Sequence, residues 1–312
     1  MRFGASGKKY LLSGRHRFFS SRFVLLVSIV AGIVAFAGIF YVVRKTHDFL
    51  PSISSIYKDW NSGEYGTVYE KTGKILAKRP LDGSALALHG FSAYYLYIAQ
   101  NDPTEARDYL VASITSLRNA WYRVSASEKA RIAYVLGKAY YQRGYYYADL
   151  AMQYLDYAWK AGLKQDDLQE FRGLSAAMIG DYDAAIPAFI EALAANPSDL
   201  LLFTLAKSYA ASGNSEKALQ YFNEAIRKTG DELLQLRCRY EIGMILIADQ
   251  RLDAAQAEFS AILEKEPNSA DAQYGLGVIY ETQGDLVKAR AAWRKALRIN
   301  PVHSGAREKM DL

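Results

Sequence analysis

The sequence predicts an all-α chain: a long apolar helix near the N-terminus, followed by a solenoid of stacked helix pairs. Three observations carry this. Residues 23–43, FVLLVSIVAGIVAFAGIFYVV, form an unbroken run without a charge. Beyond it, apolar residues recur at helical spacing, and neither strand-like alternation nor a low-complexity linker interrupts them. The stretches 236–269 and 270–303 also superimpose residue by residue: Ile242-Gly243 answers to Leu276-Gly277, Leu246 to Tyr280, Ala255 to Ala289, Phe259 to Trp293, Ile262 to Ala296 and Pro267 to Pro301. A unit of that length cannot bury its own apolar face, so several must stack.

The N-terminal part comes first in the chain. Residues 1–22 carry Arg2, Lys8, Lys9, Arg15, Arg17 and Arg22 and no carboxylate. Setting these six aside from the 38 basic residues leaves 32 against 33 acidic ones, so the net charge of +5 is local to this segment. About 20 apolar helical residues span a bilayer, and 23–43 is read as a transmembrane helix on that ground. With only Arg44 and Lys45 just after it, the basic segment 1–22 is placed in the cytoplasm and the rest of the chain on the extracytoplasmic, in bacteria periplasmic, side. Ala35-Phe36-Ala37 has the form of a signal-peptidase site. The apolar run continues past it and exceeds the roughly 7–15 residues of a signal core, which favours an uncleaved anchor of a single-pass inner-membrane protein. Residues 44–52 are a short linker in which Pro51 stops helical continuation.

Repeats then run from 49 to 303. The first, 49–82, is degenerate, keeping Gly63, Val68, Ile75 and Pro80. The second, 83–128, has His89-Gly90, Ala106, Leu110 and Ser113, with a turn at Asn101-Asp102-Pro103. The third, 130–165, has Leu136-Gly137, Tyr140, Ala151, Leu155 and Ala158 around an insertion near Tyr146. The fourth, 166–198, has Tyr182, Ala185, Phe189, Ala192 and Pro197, but Arg172 stands beside Gly173 where Leu is expected. The fifth, 199–235, has Leu205-Ala206, Tyr209, Ala218, Phe222 and Ala225. Residues 304–312 are a C-terminal cap or tail.

The paired Leu-Gly, the small residues, the aromatic and the closing Pro of 270–303 resemble the tetratricopeptide repeat. The resemblance implies a right-handed α-solenoid of about seven helix pairs, with the first helix of each pair lining a concave groove. It also implies which positions of the first helix face that groove: Phe91, Tyr94 and Tyr95; Arg131, Tyr134, Lys138, Tyr141 and Gln142; Phe203 and Lys207; Arg237, Tyr240 and Met244; and Tyr274. Aromatic rings interleaved with Lys and Arg suit an extended peptide with apolar anchors and acidic groups. Packing between helices is the competing role for each tyrosine, and Tyr145-Tyr146-Tyr147 is either an exposed patch or a lipid-interface contact.

Catalytic and metal-binding patterns are absent from the sequence. His16, His47, His89 and His303 are scattered without metal-ligand spacing. Gly275-Leu-Gly277 lacks a third glycine for a nucleotide loop, since Tyr280 stands there. Asp166, Asp167 and Asp181 sit at helix starts, where capping explains them. Cys238, the single cysteine, excludes an internal disulfide and reads as a small buried packing residue. No catalytic residue, metal or cofactor is therefore expected, and the neutral bulk of the chain argues against nucleic acid. The expectation is a membrane-anchored scaffold or chaperone-like adaptor that binds protein segments in its groove. The alternative is a structural subunit of a fixed membrane or envelope complex. The partner and the oligomeric state are not specified. Close packing at Ala289 is directly testable: Ala289→Trp should lower the melting temperature followed by circular dichroism, at a cost of about 1–3 kcal/mol. An unchanged melting temperature would remove that assignment.

Overall fold

In the computed structural model, which describes residues 21–46 and 50–310, the chain divides into two units, Met1–Ser52 and Ile53–Leu312. The first unit contains α1 (Ser21–Thr46), a helix that takes in the uncharged run. Its described side chains are Leu26 and those of residues 28–41, all exposed. Among the described residues no helix is long and apolar enough to cross a membrane. The transmembrane anchor expected at 23–43 is corrected accordingly. The cytoplasmic placing of segment 1–22, the periplasmic placing of the repeats and the membrane as a partner rested on that anchor and are corrected with it. Residues 1–20 of the basic segment and 47–49 of the linker lie outside the described residues.

The second unit is built from helix pairs: α2 (Ile53–Asn61) with α3 (Tyr65–Lys78), α4 (Gly83–Ala99) with α5 (Pro103–Ala120), α6 (Ala126–Gln142) with α7 (Ala148–Lys160), α8 (Leu168–Met178) with α9 (Tyr182–Ala195), α10 (Asp199–Ala211) with α11 (Ser215–Lys228), α12 (Glu232–Ala248) with α13 (Leu252–Lys265) and α14 (Ala270–Thr282) with α15 (Leu286–Ile299). A final short helix, α16 (Ser304–Lys309), follows. Side chains that accept from first-turn amides start many of these helices: Asp82, Asp102, Asp181, Ser198, Asn214, Asp231, Ser269 and Asp285 all do so. The α6 start falls at Ala126, ahead of the expected Ala130. Ser125 and Glu128 form a reciprocal capping box there.

Paired helices approach closely where one lacks a side chain. A β-carbon built on Gly277 would lie 2.3 Å from Nε1 of Trp293, so the indole of α15 rests on the bare backbone of α14. Ala289 and Ala296, beside Trp293, are fully buried. Cys238 is likewise fully buried, and burial pushes its thiol pKa up to about 11, as befits a packing residue. Arg172 is accommodated in α8 by neighbours from the previous repeat. Its Nε donates to Asp156 Oδ1 at 2.6 Å, and its guanidinium lies 4.1 Å from the ring centre of Trp159. Tyr145-Tyr146-Tyr147 forms a single 3-10 turn. Tyr146 is 89% exposed, while Tyr147 stacks under the Arg143 guanidinium. The last apolar face is covered by α16, whose Ala306 is buried with Ala289 and Trp293.

Successive first helices touch one another, α4 with α6, α6 with α8, α10 with α12 and α12 with α14. They form two runs of neighbouring first helices, α4–α6–α8 and α10–α12–α14.

The turn between paired helices repeats as well. Gly284 has φ +84°, and at the same position one repeat earlier Gln250 is the single described non-glycine residue with positive φ, at 60°. A side chain in that conformation costs roughly 1–2 kcal/mol. Gln250→Gly should therefore raise stability by about 0.5–1 kcal/mol, after the extra chain entropy that glycine loses on folding. Urea unfolding would check this, and a lower midpoint would show that the Gln250 side chain makes an offsetting contact.

Candidate functional site

Along the row of first helices, the predicted groove residues gather into three places. The most developed centres on Lys138 of α6. Its Nζ donates to Asp167 Oδ2 at 2.6 Å and to the Tyr134 hydroxyl at 3.1 Å. That hydroxyl in turn donates to Asp167 Oδ1 at 2.5 Å. The ammonium also lies over the rings of Phe171, Tyr134 and Tyr94, at 4.5, 5.0 and 5.9 Å from their centres. Tyr141 closes the cluster edge-on to Phe171, at 5.4 Å. Burial holds the Tyr134 and Tyr94 phenols well above the ordinary tyrosine range, with the Asp167 carboxylate reinforcing Tyr134. A desolvated ammonium needs such compensation, and three successive repeats supply it. Asp167 was expected to cap a helix, yet its side chain makes no cap hydrogen bond to α8. The ion pair with Lys138 takes it instead, because a charged partner outweighs a neutral amide.

Beside this cluster lies a cavity of about 270 Å³ between α2, α4 and α6. Its walls include Trp60, Phe91, Tyr95 and Tyr134, with Tyr57, Arg131 and Glu128 also lining it. Trp60 meets Tyr95 edge-on at 5.6 Å and lies 6.1 Å from Phe91, while Tyr95 stacks on Tyr65 at 4.3 Å. These rings brace one another, so the cavity is preformed. Arg131 is exposed and has no acidic side chain within 4.0 Å among the described residues. Glu128 is occupied by the backbone N–H and hydroxyl of Ser125, at 3.2 and 2.8 Å.

The third group is farther along. Phe203 is buried and carries the Arg237 guanidinium over its face at 4.8 Å. Lys207 pairs with Glu241 at 3.2 Å. Arg237, Tyr240 and Glu241 share a smaller cavity of about 220 Å³. Burial raises the Tyr240 phenol, helped by the nearby Asp271. Tyr274 stands apart, packed against His303 and Gly305 at the C-terminal cap.

Four contributors were missed in the sequence: Tyr57, Trp60, Asp167 and Glu170. The groove positions used for the other repeats fall on all four when applied to the first and fourth repeats. The degenerate pattern of those two repeats concealed them. No cluster of three or more His, Cys, Asp or Glu able to hold a metal occurs among the described residues.

A family model described as a tetratricopeptide repeat matches residues 172–232 and 240–304. The likeness is to the tetratricopeptide repeat. The chain is 29% identical over 100 residues to a protein CTR9 homolog of Arabidopsis thaliana, across 32% of this chain and 9% of that one. It is 28% identical over 134 residues to tetratricopeptide repeat protein 8 of Caenorhabditis elegans, across 40% of this chain and 25% of that one. It thus spans a quarter or less of the curated relatives it matches. The solved C-terminal part of a TPR repeat-containing protein from Cytophaga hutchinsonii has the same fold. That likeness has a TM-score of 0.57 at 16% identity and covers 82% of this chain and 98% of that one. A solenoid of tetratricopeptide-like helix pairs is therefore the fold.

The Lys138 cluster makes a pH prediction. Glu170 is half-buried, and its carboxyl pKa is raised, first by burial and then by Asp167, with Lys138 opposing. The folded state thus binds this proton more tightly than the unfolded state. The group's contribution to stability therefore falls as pH rises from the ordinary glutamate range through the raised value. Glu170→Gln should raise the melting temperature at pH 7 and have little effect near pH 4. An equal shift at both pH values would assign the effect to something other than titration.

Proposed function

We propose that the chain is a protein-interaction scaffold that holds a segment of a partner protein along its row of first helices. An apolar side chain of that segment seats in the cavity walled by Trp60, Phe91, Tyr95 and Tyr134, and a carboxylate beside it meets Arg131. The observation that carries this is the preformed aromatic cavity with an unpaired guanidinium at its edge. Its volume suits a single large side chain, and rigid rings offer contact area at low entropic cost. The repeat architecture supports the same reading, because stacked helix pairs present extended surfaces to partners. The Lys138 cluster stiffens the neighbouring wall through Tyr134, which belongs to both. Lys138 and Asp167 satisfy each other, so the free charge facing a partner here is that of Arg131.

Selection of displayed peptides on the purified chain, followed by fluorescence anisotropy, tests the proposal. Selected peptides should share an apolar residue next to an acidic one. Tyr95→Ala and Arg131→Ala should each weaken binding about tenfold, roughly 1.4 kcal/mol, with the circular-dichroism spectrum unchanged. Peptides that bind both variants as well as the parent chain would sink the cavity assignment. A chain that selects no peptide and purifies with one fixed set of subunits would favour a structural role in a complex.

A further inference from the structure

The stack carries a second distinctive surface, on the opposite partner of the last helix pair. We propose that the outward face of α15 docks an acidic, amphipathic segment of a partner protein, independently of the aromatic cavity. Among the seven second helices, α15 alone contains no Asp or Glu; its charged residues are Lys288, Arg290, Arg294, Lys295 and Arg298. Lys288 is held by Asp285 at 2.8 Å. The other four are exposed, and none has a carboxylate within 4.0 Å among the described residues.

The placement is ordered. Ala289, Ala292, Trp293 and Ala296 are buried on one side of α15. Arg290, Arg294 and Arg298, spaced four apart, therefore stack along the outer side. Like charges at that spacing oppose one another on a helix. Neutral spacing would serve the fold better, so a partner that neutralises the row removes a repulsion already present. Once residues 1–22 are set aside the chain is near neutral, which makes this concentration local.

The chemistry between the cations selects the partner. Val287, 82% exposed, lies on the same stripe. Ala291, Leu297 and Met310 join Arg294 and Arg298 in lining an open depression. A polyphosphate surface would use the guanidinium groups and leave these apolar atoms uncovered. A helix with carboxylates four residues apart and leucine-type side chains between them uses both. The face fits such a segment.

The test uses the full chain and a labelled synthetic amphipathic peptide with glutamates four residues apart and intervening leucines. Polyglutamate, duplex DNA and phosphatidylserine vesicles serve as comparison probes. Saturable peptide binding that weakens as salt rises is expected. The combined variant Arg290→Gln, Arg294→Gln, Arg298→Gln should lose at least about tenfold in affinity while melting at the same or a higher temperature. Val287→Ser should weaken the peptide and leave polyglutamate unaffected. Equal binding by the parent chain and the combined variant would overturn the proposal. So would polyglutamate binding as tightly as the peptide, or tighter binding of DNA or vesicles, since each would assign the face to charge alone.

Discussion

Where Trp293 lies against Gly277, the indole nitrogen occupies space that a β-carbon would need. Phe259 against Gly243 and Phe189 against Gly173 repeat the contact in earlier pairs. The spacing of these three helix pairs depends on it, and in α4–α5 and α6–α7 Leu117 and Leu155 make the same close approach to Gly90 and Gly137. A large side chain resting on bare backbone brings the two axes together and fills the wedge between them. With the pairs set at that distance, consecutive first helices come within reach of one another. The row carrying Trp60, Phe91, Tyr95, Arg131 and Tyr134 is a consequence of this packing.

Charge within the row is mostly consumed internally. Lys138 is held by Asp167 and three rings, and Arg172 by Asp156 and Trp159. Removing one member of such a pair strands the other in a poorly hydrated place, so these pairs fix how neighbouring repeats sit on each other. Arg131 has no such commitment. A list of basic groove positions therefore overstates the charge that a partner would meet, and the difference lies in carboxylates from adjacent repeats.

Repeat regularity and binding chemistry are distributed unequally. The tetratricopeptide match covers 172–232 and 240–304, whereas the aromatic cavity is built from residues 57–165, ahead of both stretches. Regular repeats keep their positions small, aromatic or capped to satisfy packing. The irregular ones carry Trp60, Tyr95 and the Asp167 pair, features that the repeat pattern does not require. The α15 face departs in charge alone, leaving its buried side regular.

Much of the solenoid was legible in the sequence, because its determinants are local and periodic. Small residues opposite rings, capping side chains and turn glycines recur at fixed spacing, so helix pairing and the burial of Ala289, Trp293 and Cys238 could be read directly. The same local reading gave a transmembrane span at 23–43, which the described part of α1 does not support. It also took Asp167 for a cap, because position along a helix shows the nearest amide and not a lysine 29 residues away. The sequence by itself determined which residues pair within a repeat. Only the tertiary structure decided which side chains remain free, because burial and charge compensation arise between repeats, from groups whose separation along the chain carries no signal.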